Sequence, residues 1–177
     1  FYLVYRNGKP IAKRTQTQYT DELSSGSTTY QVRGCFDGSS NYGLSSAVTV
    51  DICAGVHQVS DLDTGQTLRL PYSDSQHRQT TRTLSRQVEL LQLSGAYYPV
   101  AVEVDSGTDA LSITAALTDK AQVRQLMNLV GKLVCAKTPQ GDMVIGYITS
   151  LPKQHDGFLN VFNFTVEQID YDDEVTL

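Results

Sequence analysis

Three histidines, three cysteines and one acidic run are the groups in this chain with the chemistry for catalysis or metal binding. His57, His77 and His155 fall in an expected linker, loop and turn, where an imidazole is ordinarily solvated. A general base needs a positioned partner. His155 and Asp156 are adjacent, but neighbours in a tight turn point apart. Cys35, Cys53 and Cys135 are far apart and odd in number, which suggests neither a disulfide scaffold nor a zinc cluster. Cys135, in the β-prone run Leu-Val-Cys-Ala-Lys, reads as a small core residue, and Cys35 reads likewise. No serine or cysteine sits in a GxSxG or Cys/His context. There is no P-loop and no GxGxxG. The acidic end, Asp170 to Glu174, lacks the alternating ligands and central glycine of a calcium loop. It reads as a solvated tail or as an arm that docks on another subunit. The expectation is therefore no catalytic, cofactor-binding or metal-binding residue, no cofactor and no enzymatic activity.

The bulk properties agree with a binding or structural role. The 177 residues suffice for one ordinary domain or two small ones. Hydrophobic residues make up 40% and charged residues 19%, so a core can form and the chain is not a disordered acidic tail. A net charge of −5 argues against nucleic acid, whose phosphates demand cations. No run of 18 apolar residues exists, so no membrane insertion is expected. No signal peptide is visible, and the chain opens on Phe1, so its natural N-terminus is expected to lie upstream. Tyr is 10, Gly 13 and Trp 0, with abundant Ser and Thr, the vocabulary of strands and turns.

Charge divides the chain. Residues 1–55 carry a net +1 and the remainder −6. The stretch 53–60 has small residues and no long alternation, so the boundary is placed there: one segment at 1–53 and a second at 58–177.

The first segment reads as short strands. Phe1 to Arg6 alternates, and Asn7-Gly8 suits a type I′ turn because both central residues must take positive φ. Lys9 to Arg14 returns as the partner. Thr17 to Glu22 is short and partly β-prone, and Ser24-Ser25-Gly26 breaks it. Thr28 to Cys35 is a strand with Tyr30 and Val32 on one side. Asp37 to Asn41 is a turn cluster, and Ser46 to Ile52 closes the segment with Val48, Val50 and Ile52 on one face.

The second segment is also β-rich. Gln66 to Leu70 is a short strand, and 73–80 is a polar loop. Thr81 to Leu93 forms a long strand with Val88 and Leu90 on one face and Leu91 and Leu93 on the other. Ser94-Gly95 turns the chain. Tyr98, Val100, Val102 and Val104 share the next face, which makes Tyr98 a core residue and leaves Tyr97 as an exposed anchor for a partner. Ser106-Gly107-Thr108 reads as a second turn, and Leu111, Ile113, Ala115 and Leu117 alternate after it, giving a three-stranded meander. The period then becomes 3.6. Thr118 or Asp119 caps a helix whose stripe is Val123, Leu126, Met127 and Val130, with Gly131 at its C-terminus. Burying those four side chains contributes on the order of 6–12 kcal/mol gross. Strands follow at Leu133 to Lys137, Met143 to Ser150 and Phe158 to Ile169, separated by turns at 139–142 and 155–157. The fold class expected is mainly β: a partial sandwich, then a split β-barrel or sandwich with one α-helix.

Two resemblances add to this reading. YLVYRNGKPIA, TQYTDELSSGSTTYQVRG and DGSSNYGLSSAVTV resemble the later part of a fibronectin type III domain. That resemblance implies that Tyr30 begins strand F with its hydroxyl bonded to backbone at the E–F corner, that Tyr19 to Asp21 lie in strand E, with Leu23 in the corner, and that the first two strands of a seven-stranded sandwich have no counterpart here. Residues 66–169 resemble a domain of bacteriophage tail proteins, through Gly95, Tyr98-Pro99-Val100, Ser112, Leu129 to Lys132, Pro139 to Gly141 and Gly146 to Ile148. It implies a split barrel with a helix, built for ring assembly in a tail tube, tip or baseplate, and carries no catalytic residue. The implied partners are other tail proteins and copies of the chain itself. The implied location is the virion tail, and the bacterial host cytoplasm before assembly. The alternative is an extracellular binding or adhesion module, or an accessory domain of a cell-wall-active protein, with a glycan or host surface as partner.

Overall fold

A computed structural model describes residues 1–36, 43–71 and 79–173. The turn cluster at 37–41, His77, most of the polar loop at 73–80 and Glu174 lie outside the described residues. The chain forms two compact units that are not contiguous in sequence. The first takes the described residues of 1–58, 137–143 and 170–177; the second takes 59–136 and 144–169. The division drawn near residue 53 does not anticipate these two returns of later chain to the first unit.

The first unit is built on a four-stranded antiparallel sheet. Its strands are β1 (Tyr2–Arg6), β2 (Lys9–Arg14), β3 (Gly26–Gly34) and β4 (Val48–Ile52), in the order β2-β1-β3-β4. Asn7 and Gly8 take φ of 50° and 85°, the positive values a two-residue turn between right-twisted strands requires. Register sets the faces. Val4 pairs with Val32, Arg6 with Tyr30, and Tyr30 in turn with Val48, so these side chains share one side. Residues 17–22, expected as a strand, are irregular. A strand exists only where a neighbour completes its ladder, and none of the four strands pairs with this stretch.

The remaining strands are β5 (His57–Asp61), β6 (Thr67–Leu70), β7 (Thr80–Leu91), β8 (Val100–Leu117), β9 (Leu133–Lys137), β10 (Met143–Ile148), β11 (Lys153–Asp156) and β12 (Leu159–Gln168). They form an eight-stranded sheet in the order β6-β5-β9-β10-β12-β8-β7, with β11 pairing β12. The fold is mainly β with one helix, and the described strands do not close into a barrel. Its core follows the pleat. Ala115, Ile113 and Leu111 of β8 face Phe162, Phe164 and Val166 of β12, and all six are buried. On the opposite face the same ladder carries a hydroxyl pair, Ser112 Oγ to Thr165 Oγ1 at 2.8 Å.

The helix α1 (Lys120–Met127) lies against this core. The Asp119 carboxylate caps it by accepting the Ala121 N–H at 2.9 Å. The expected stripe is corrected at its end. Val123, Leu126 and Leu129 are buried, whereas Met127 and Val130 are 53% and 40% exposed. The last turn tightens, with Leu129 N bonding Leu126 O and Val130 N bonding Met127 O, which rotates the buried positions by one residue. Gly131, at φ 77°, then turns the chain so that its N–H meets Ile148 O.

Two further expectations change. The linker reading of 53–60 missed β5, whose alternation is masked by polar residues: His57, Val59 and Asp61 point inward. The turn at 106–108 does not exist. Gly107 lies within the single 18-residue strand β8, opposite Arg86. It serves close approach instead of reversal, because a Cβ there would lie 3.0 Å from Ser85 O. The expected meander is one long hairpin with a bulge, where the register shifts between Arg86 and Val88.

Gly146 is the tightest glycine. It pairs with Gln168, and a Cβ would fall 1.6 Å from the Glu167 carbonyl oxygen. Backbone cannot yield as a flexible side chain can. Gly146→Ala should therefore cost about 3 kcal/mol or more, and Gly65→Ala, in open space but at positive φ, about 1 kcal/mol. Urea unfolding of both variants checks the ranking.

Candidate functional site

The chemistry-bearing residues are not gathered. Among the described residues no three His, Cys, Asp or Glu side chains converge as a metal site would require. Cys135 is buried, Cys53 exposed, and Cys35 half-buried just past the end of β3. His155 is exposed on β11. His57 departs from the solvated state expected of it: it is buried as the first residue of β5, and burial pushes its pKa down.

A charged cluster in the first unit was not anticipated. Arg6 Nη1 donates to both Asp21 carboxylate oxygens at 2.9 and 3.0 Å and to Leu23 O at 2.8 Å. Its Nη2 reaches Asp173, so the acidic end is held to this unit and is not a free tail at that point. Asp21 also accepts from Leu23 N at 2.9 Å and from the Tyr30 hydroxyl at 2.8 Å. The resemblance placed that hydroxyl on backbone; it bonds the Asp21 side chain instead, and Arg6 takes the corner carbonyl. Burial opposes the charge on Arg6, but its bonds to Asp21 and Asp173 outweigh this and raise its pKa. Burial and the Asp21 bond raise the Tyr30 pKa. Such an array fixes an irregular segment, and its Asp21 and Tyr30 also line a trough of about 490 Å³. A sequence signal existed in Tyr-Thr-Asp-Glu followed by Tyr30, but the arginine partner was invisible without the register.

The surface that stands out is the outer part of the β7–β8 hairpin. β8 pairs with β12 only from Ala110 to Leu117. From Asp109 to Val100 its described strand partner is β7 alone, so the hairpin continues as a two-stranded ribbon for roughly 30 Å at the usual rise per residue. Its base is polar. Arg82 grips Asp109 through two bonds of 3.0 and 2.7 Å, which hold the Asp109 pKa down, and Ser85 Oγ meets Thr108 Oγ1 at 2.7 Å.

Farther out the ribbon carries apolar side chains on both sides, with Glu89 opposite Val102. Val88 and Leu90 share one face with Ala101, while Leu91 shares the other with Val100 and Val102. Leu90 is 66% exposed, and the others named are also exposed. The loop beyond adds Leu93, Tyr97 and Tyr98, the two rings edge to face with centroids 4.9 Å apart. Tyr98 is not core as expected; it is 75% exposed, in the loop between β7 and β8. Summed over its two faces and the loop, the exposed apolar side-chain surface of the ribbon is on the order of 1,000 Å², about twice the largest single patch of an ordinary monomer. Strands apolar on both faces belong in sheets covered on both sides. The alternation in 81–93 already carried this signal; that neither face is covered did not.

No family model matches the chain, and no curated protein matches it.

Two solution tests follow from these groups. Asp21→Ala strands the Arg6 charge and should cost about 2–4 kcal/mol, whereas Asp173→Asn, at a more exposed pair, should cost under about 1 kcal/mol; denaturant titration measures both. For His57, folding favours the neutral form. Its contribution is fully present above the unfolded pKa of about 6.5 and is lost as pH falls below it. The melting temperature should drop between pH 7.5 and 5.5, and His57→Gln should flatten that slope.

Proposed function

We propose that this chain is a structural subunit of a phage or prophage tail, in the tip, baseplate or tube, acting through subunit packing without turnover. The observation that carries the reading is the ribbon, with apolar side chains on both faces and extended beyond its own sheet. An isolated two-stranded hairpin is marginal in water. A monomer gains nothing by presenting on the order of 1,000 Å² of apolar side chain to solvent, whereas a standard protein interface covers about 800 Å² on each partner. The ribbon is thus sized for a neighbour. β7 is also the outer strand of the sheet, and a long apolar edge strand invites pairing with another chain. The ordered resemblances to a fibronectin type III module and to a tail domain support the same reading, with the virion as the location they imply.

The exposed Tyr97–Tyr98 pair favours a second reading, an extracellular binding module for a glycan or host surface. A glycan array that stays blank removes it.

Light scattering and electron microscopy test the first reading. The wild type should form closed oligomers or rings at micromolar concentration. Leu90→Glu with Val102→Glu, one charge on each ribbon face, should give a monomer whose far-UV circular dichroism is unchanged. A wild type that persists as a 19.5 kDa monomer overturns the proposal.

A further inference from the structure

The trough beside the Arg6 cluster lies wholly within the first unit. Its floor is the side of the sheet where Val4 of β1 stands directly opposite Val32 of β3, and Ile52 of β4 adds to it. Tyr2 and Tyr30 stand on the same side at the two ends of that pair. Tyr2 lies two residues before Val4, and Tyr30 two before Val32 on the antiparallel neighbour, which sets them roughly 13 Å apart along the strands. Residues 16–19 wall the trough, and the Arg14 guanidinium sits over the Tyr19 ring, 5.3 Å from its centroid. The volume of about 490 Å³ falls within the range of small-ligand sites.

The polar groups select the ligand. Asp21 is the one ionised side chain of the lining, and its two oxygens are already filled by Arg6, the Leu23 N–H and the Tyr30 hydroxyl. It has little left for a ligand cation, and no lysine or arginine among the described residues lines the trough to receive an anion. The remaining groups are neutral and work both ways. The hydroxyls of Tyr2 and Tyr19 and the carboxamides of Gln16 and Gln18 each donate and accept, and among the described residues none of them meets a hydrogen-bond partner. Burial raises the Tyr19 pKa, so that hydroxyl stays protonated. Residues 16–20 are irregular, so an added peptide strand would find no ladder to extend. A sugar ring suits both halves of the lining. Its C–H face packs on the electron-rich face of an aromatic ring, and its hydroxyl rim needs groups that donate and accept.

We infer that the trough binds a short neutral oligosaccharide, held on the rings of Tyr2 and Tyr19 and by the carboxamides of Gln16 and Gln18. The Tyr30–Asp21 bond and the Arg14–Tyr19 contact fix two of the rings in advance, so less ordering is left for the ligand to impose. The site uses no residue of the ribbon, so it goes beyond the assembly reading, and it lies apart from the Tyr97–Tyr98 pair.

Calorimetric titration of the full chain with maltotriose, cellotriose and chitotriose tests this. Each is taken to about 10 mM, where a Kd of about 1 mM is close to saturation. At least one should bind, one molecule per chain. Tyr19→Ala, which removes a ring, and Val32→Trp, which fills the floor, should each weaken that binding by about tenfold or more. Tyr97→Ala/Tyr98→Ala and the ribbon variant Leu90→Glu/Val102→Glu should bind as the wild type does. If none of the three sugars binds, the inference falls. It falls equally if binding ignores both Tyr19→Ala and Val32→Trp, or if Tyr97→Ala/Tyr98→Ala abolishes it, since the sugar then sits on the loop and the second reading stands in its place. None of these results touches the assembly reading, which light scattering decides. Circular dichroism confirms that each variant is folded. Should Val32→Trp lose its sheet, Gln18→Trp on the exposed wall fills the trough instead, with the same outcomes.

Discussion

An apolar strand face has to be covered, and nearly everything in this protein follows from where the chain supplies that cover and where it stops. In the second unit Phe162, Phe164 and Val166 meet Leu111, Ile113 and Ala115 across one ladder, and the helix residues Val123 and Leu126 join the same core. The side chains are removed from water and the unit is closed on that face. Past Ala110 the arrangement ends. β12 no longer runs beside β8, yet the alternating apolar pattern continues toward Val100. The same strand is core at one end and uncovered at the other.

The first unit shows how a chain fixes a segment that lies outside its sheet. The segment between β2 and β3 has no ladder to join, so its position comes from charge. Asp21 gathers Arg6, Tyr30 and the Leu23 N–H, and Arg6 reaches on to Leu23 O and Asp173. The returning stretch at 137–143 adds main-chain acceptance: Ser25 Oγ donates to Gly141 O at 2.7 Å, and Lys137 Nζ donates to Glu22 O. Directional bonds substitute for the regular pairing that would otherwise hold such a segment. They fix geometry well, but they cover little apolar surface, and Val48 and Val50 stay in solvent.

Local chemistry was legible from residues alone. Asn7-Gly8 announced its turn because few other dipeptides accept two positive φ values. Thr118-Asp119 announced the helix start, and the Asp119 carboxylate provides the cap. Leu111 to Leu117 announced a half-buried strand through period-two alternation. The misreadings have a common origin: each concerned a residue whose role depends on a distant neighbour. Gly107 looked like a turn residue, because sequence does not distinguish a glycine that reverses the chain from one that admits the Ser85 carbonyl. His57 looked solvated, because polar residues mask the inward alternation of β5. Residues 17–22 had strand composition but no strand to pair with. Tyr98 had the right phase for a core position but lies in the loop ahead of β8.

By itself, then, the sequence determined the mainly β character, the hairpin turns, the helix cap and the two apolar faces of 81–93, since these depend on dihedral preference and on spacing within a few residues. Tertiary structure alone decided that β8 is one strand and not two, that Gly146 must lack a side chain, that Arg6 meets Asp21, and that the ribbon and one face of the first sheet lie open. Those outcomes depend on which distant backbone arrives alongside. That is a matter of register and coverage, which no short window of residues contains.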